Sequence, residues 1–267
     1  MKIAVVGVLL VFYLAVWGVQ QGKARWSDYY LSPAPPSPAL KVASGYARQM
    51  AGYTLFVKVA IFAGGPLRGV DKENYADSLA QNFDVMTDLY PEFIDPFYYC
   101  QSLLAPIAPE YAQQTNLILD RGVEAHPDIL FFPFFQAFNH FYYLQEPTMA
   151  AELFFKMGKR SDAPPWFGHL AGTLMGRGGN LLAGRSMLQA MFDSEQEEYI
   201  KERYLDSIKV FDQAIQVQVA LDSYRKEHGI DAVSLQDLVP RYLDVLPRLP
   251  AGFMLEWEPP VLRLERP

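Results

Sequence analysis

The stretch ILFFPFFQAFNHFYYLQEPTMAAELFFKMGKRSDAP, residues 129–164, decides how this chain folds. Its first part, Ile129 to Leu144, carries too many rings to face one direction. Its second part, Thr148 to Arg160, spaces small and bulky apolar residues as one helix face does. The reading is two paired helices, closed by Ala163-Pro164.

Moving outward, the same punctuation recurs. Tyr90-Pro91, His126-Pro127 and Ala163-Pro164 fall 36 and 37 residues apart, each just before an aromatic-rich helical pattern. The preceding unit pairs Ile94 to Ala105 with Glu110 to Ala125, and the following one pairs Trp166 to Arg177 with Asn180 to Phe192. A period in the thirties with two helices per unit is the signature of a solenoid, whose units bury their apolar faces only against neighbours.

At this point the residues resemble the tetratricopeptide-repeat family. Phe135, Phe138 and Tyr142 stand at the bulky positions of that family's first helix. Ala151, Phe155 and Gly158 match its second helix, and Pro164 comes one residue after the closing position. Asn139 replaces a small residue of the pattern. The unit ending at Pro127 keeps Tyr99, Leu103, Leu119 and Gly122 but has Thr115 for alanine. The third keeps Leu170-Ala171, Ala183, Met187 and Ala190, with a shortened turn at Gly176 to Gly179. The resemblance implies a right-handed superhelix whose concave face holds a segment of another protein. Rings anchor binding hot spots, yet the same composition suits a helix buried on several sides. Asn139, His140, Tyr142 and Tyr143 keep polar atoms available and are the candidate partner-binding residues.

At the amino end, Ile3 to Val19 is an unbroken apolar run between Lys2 and the pair Lys23 and Arg25. At 1.5 Å per residue it spans roughly 25 Å, the lower end of a membrane-crossing helix. No Ala-x-Ala site follows, so an uncleaved signal anchor is expected rather than a removed signal peptide. The expectation is a single-pass bacterial inner-membrane protein with a periplasmic body. Leu31 to Pro38, Leu-Ser-Pro-Ala-Pro-Pro-Ser-Pro, reads as an extended spacer. Tyr46 to Ala63 is nearly as apolar, but Arg48 and Lys58 make it a core helix, followed by an amphipathic one from Asn74 to Tyr90.

The carboxy end changes character. Glu197 to Lys226 is a long helix with Tyr204, Ile208, Phe211, Ile215 and Val219 as its apolar stripe, ended by His228-Gly229. Ser234 to Val239 reads as a capped short helix, and Phe253 to Glu258 with Val261 to Glu265 as two strands. This order resembles the tails of pseudopilin-like proteins of secretion and pilus systems, and it also suits a cap over the last repeat.

Composition excludes several classes. A net charge of −7 argues against nucleic acid as a partner, and the lone Cys100 rules out an internal disulfide. His126, His140, His169 and His228 have no neighbours at metal-ligand spacing, and no hydrolase or nucleotide-binding motif occurs. The expected fold class is all-α: a transmembrane signal anchor (1–24), a proline-rich linker (25–45), a tetratricopeptide-like helical-hairpin solenoid (46–195), and a long helix with a small α/β cap (196–267). The expected function is a membrane-anchored scaffold that recruits a protein partner to an envelope assembly for secretion, pili or polymer export. No enzymatic activity, cofactor or metal is expected. The alternative is a small-ligand or enzymatic site at an aromatic pocket around His140, His169 or Tyr142.

Overall fold

A computed structural model describes residues 30–65 and 71–266, together with Leu10, Val11, Tyr13 and Leu14. The chain is mostly helical, with a two-stranded sheet near its carboxy end, and divides into two compact units, Met1–Leu89 and Tyr90–Pro267. The division falls inside the stretch expected as one repeat body.

In the first unit, α1 (Ser37–Ser44), a short 3-10 turn (Gly45–Ala47), α2 (Arg48–Ala63) and α3 (Glu73–Leu89) pack around Val59, Phe62, Leu79, Phe83 and Met86. The proline-rich segment is not a free spacer. Leu31 and Ala34 are buried, and α1 begins at Ser37 with a proline in its first turn, where the missing N–H costs no hydrogen bond. Lys58 Nζ donates to the Ser32 carbonyl (2.5 Å) and to Asn82 Oδ1 (3.1 Å), while Asn82 Nδ2 also donates to Ser32 (3.0 Å). Burial lowers the Lys58 pKa. A rigid segment loses little entropy when docked, so prolines favour this clasp as readily as an extended spacer.

No helix among the described residues is long and apolar enough to cross a membrane. The apolar α2 has 16 residues and carries Arg48 and Lys58, where a span needs about 20 apolar ones. The long helix at the carboxy end is studded with charges. The expectations of a transmembrane signal anchor and of a single-pass inner-membrane protein are therefore withdrawn. Of the run Ile3 to Val19, only Leu10, Val11, Tyr13 and Leu14 are described; the rest lies outside the described residues.

The second unit contains α4 (Asp95–Leu103), α5 (Pro109–Ala125), α6 (Phe131–Tyr142), α7 (Pro147–Gly158), α8 (Trp166–Arg177) and α9 (Leu181–Ser194). They form three consecutive hairpins whose bounds match the expected ones within about two residues. Pro109 and Pro147 open second helices, and Asn180 caps the third by accepting from the Ala183 N–H (3.2 Å). First helices of successive hairpins also touch. Phe97 lies 5.2 Å from Phe132, and Phe134 lies 6.3 Å from Phe167, between ring centroids.

Between α6, α7 and α8, the fully buried Ala137, Ala150, Ala151 and Ala171 let the helices approach, with Phe154, Phe167 and Leu174 filling the remaining space. Replacing Ala151 by leucine is expected to cost about 1 to 3 kcal/mol, because the added methylenes have no room. Chemical denaturation would register it; an unchanged midpoint would mean that the close approach is dispensable.

The cap follows. Helix α10 (Glu198–His228) lays Tyr204, Ile208, Phe211, Ala214, Val217 and Leu221 on α9 and on strands β1 (Met254–Glu258) and β2 (Val261–Glu265). The expected stripe is correct through Ile215, which packs at the edge of this core, but Val219 is 58% exposed. Steps of four residues advance about 40° beyond a full helical turn, so by position 219 the stripe has drifted off the buried face. The strands pair antiparallel with Met254 opposite Glu265, and Leu262 and Leu264 of β2 enter the core. The Trp257 indole donates to the Ala232 carbonyl (2.8 Å). Ser234 forms the expected capping box, over a 3-10 turn at Leu235–Leu238.

Candidate functional site

Helices whose polar residues repeat every four positions gather them on one face. Asn116 and Asp120 on α5, Gln136 and His140 on α6, and Glu152 and Lys156 on α7 obey that rule, and all six line one groove of about 640 Å³. Leu117 and Met149 stand on its rim, 66% and 46% exposed. Where α6 turns into α7, the groove is closed by Leu144 and Glu146, the latter accepting from His140 Nδ1 (2.7 Å).

Beneath the groove lies a network of buried amides. Asn139 is fully buried; its Nδ2 donates to Gln101 Oε1 (2.9 Å) and Asn116 Oδ1 (2.8 Å), and its Oδ1 accepts from Gln101 Nε2 (2.8 Å). Gln136 Nε2 donates to the Asn116 carbonyl (3.1 Å) and to Asp120 Oδ1 (2.7 Å). Asn116 Nδ2 is buried and has no partner among the described residues, so the floor holds one unspent donor. The odd Thr115 of this hairpin is satisfied locally, donating to the Tyr111 carbonyl (2.8 Å) and accepting from Cys100 Sγ (3.8 Å).

The four residues singled out from the sequence separate in space. His140 lines the groove. Asn139 lies under the floor, committed to α4 and α5, and presents nothing to a partner. Tyr142 and Tyr143 lie off the groove and pack with Phe138: Tyr142 stacks on it at 5.3 Å, and Tyr143 meets it edge-on at 5.9 Å. Asn116, Asp120, Gln136, Glu152 and Lys156 escaped the sequence reading. Their four-residue spacing was the available signal, masked by the aromatic residues between them.

The residues of the alternative site do not converge either. His140 and His169 line different cavities, and Tyr142 lines neither. Among the described residues no cluster of three or more His, Cys, Asp or Glu could hold a metal ion. His169 lies on α8, stacked on Tyr204 of α10 at 4.1 Å and 11° between ring planes. Burial, then the charges of Arg203 and Arg266, hold its pKa down at about 4. The unfolded chain binds this proton from about pH 6.5 downward and the folded one only near pH 4. Stability therefore falls as the pH drops through that window. Discounting for partial exposure, about 1 kcal/mol is lost between pH 7 and 4.5. Denaturation of the wild type and His169→Gln at both pH values tests this, the variant losing less on acidification.

Compared with known proteins, the chain matches no family model, no curated sequence and no solved structure. Function must then be argued from the site itself.

Proposed function

We propose that this chain is a protein-binding scaffold of tetratricopeptide-like hairpins, and that the groove over α5, α6 and α7 takes a segment of a partner protein with apolar residues flanking a basic one. The observation that carries this reading is the groove's make-up. Asp120, Glu146 and Glu152 outnumber Lys156, while Leu117 and Met149 offer apolar contact at the rim. Basic groups steer to such a surface, and apolar anchors supply affinity once seated. The 36- and 37-residue spacing and the touching first helices support the repeat reading. Resemblance of the carboxy tail to pseudopilin-like proteins supports a partner from secretion, pilus or polymer-export machinery.

Peptide display against the intact chain tests the proposal. Enriched sequences should pair Lys or Arg with large apolar residues, and binding should fall at least tenfold in Asp120→Lys/Glu152→Lys with the fold retained by circular dichroism. Binders indifferent to that charge reversal, or none enriched, would overturn it.

A further inference from the structure

A second cleft lies between α8, α10 and the end of β2, away from the partner groove. Two cavities of about 370 and 510 Å³ meet there and share His169, Arg203 and Arg266 as a common wall. Arg177 adds a third guanidinium to the smaller cavity, and Lys209 a fourth cation to the larger. The carboxylates present are already engaged. Glu265 pairs with Arg177 (3.5 Å) and Asp206 with Lys209 (2.9 Å). Arg203 has no carboxylate partner among the described residues, and Arg266 lies over the Phe253 ring at 5.3 Å. In a chain of net charge −7, this is a local excess of positive charge. The smaller cavity is otherwise apolar, with Trp166, Leu170 and Leu174 in its wall.

A hydrogen-bonding atom is also left over. His169 Nε2 is buried without a partner among the described residues, while Nδ1 lies 3.5 Å from Ser207 Oγ. The hydroxyl of Ser207 donates to the Arg203 carbonyl (3.1 Å). With the Ser207 hydroxyl spent on that carbonyl, its oxygen accepts from Nδ1–H and Nε2 is left an unpartnered acceptor, so the donors that face an anion are the guanidiniums of Arg203 and Arg266. Planar guanidiniums match carboxylate and phosphate oxygens, and pockets of this size with few polar groups among apolar walls suit small ligands.

We propose that this cleft binds a small organic anion, a carboxylate or phosphate group on an apolar body, with Arg203 and Arg266 holding the charged group and the Trp166–Leu174 wall holding the rest. Titration calorimetry of the full chain with octanoate, octyl phosphate and octanol tests it. Either anion should bind while octanol does not, and the preferred anion identifies the charged group. Arg203→Gln and Arg266→Gln, both on exposed side chains whose loss leaves the core intact, should each weaken binding at least fivefold. Octanol binding as tightly as the anions, no binding of either anion, or affinities unchanged in both variants would overturn the assignment.

Discussion

Asn139→Leu is expected to lower the unfolding free energy of the Tyr90–Pro267 unit by about 3 kcal/mol, although leucine has the same number and branching of side-chain heavy atoms and the site is fully buried. Three hydrogen bonds vanish with the amide, two to Gln101 and one to Asn116. The partners then remain buried with unsatisfied groups, and each orphan costs about 1 to 3 kcal/mol, more than the bond itself contributed. Because the cost lies in the orphans, Asn139→Leu/Gln101→Leu should recover part of the loss. Urea denaturation of the three proteins decides the matter. A single variant as stable as the parent would mean that water reaches these amides and the network is not dry.

The second large effect is expected at Phe211, where truncation to alanine should cost about 3 to 5 kcal/mol. Its ring is 1% exposed and fills the gap between α8 and α9 where both are stripped to glycine: a Cβ on Gly176 would come within 2.8 Å of it, and one on Gly184 within 2.5 Å. Glycine at these positions lets the ring seat against bare backbone. With the ring gone, Gly176 and Gly184 have no side chain to offer the space, so the cavity closes poorly and most of its cost is felt. Thermal unfolding would show a lower, broader transition; a loss below about 1 kcal/mol would mean that α10 is held by its ends and not by this ring.

These two residues show what a single sequence reveals and what it conceals. Periodicity located every hairpin helix of the second unit, because an apolar face leaves a mark at each turn of the chain that carries it. The capped turn at Ser234 and the paired strands were legible for the same local reason. Gln101, Asn116 and Asn139 were not, since a buried polar residue looks like a surface one until its partner, up to 38 residues away, is in place. Asn139 in the sequence thus looks like a surface contact. The candidate groove suffered likewise: of its lining only His140 stands out in the sequence, while Tyr142 and Tyr143, candidates for their polar hydroxyls, lie off it against Phe138. Leu31 and Ala34 were hidden by the prolines around them, which mark local stiffness and say nothing about what the stiff piece rests on.

The way Leu262 and Leu264 close over α8 and α10 also constrains how such a chain could change in length over evolution. A terminal hairpin left bare is adhesive, and neighbouring copies would stack on it into fibres. Here that surface is consumed internally, so a duplicated hairpin appended after α9 would have to displace the strands and rebuild a complementary face for them. One inserted ahead of α8 would leave the terminator untouched. On the repeat reading proposed above, descendants with longer arrays should therefore carry their extra hairpins upstream of the segment from α8 to β2.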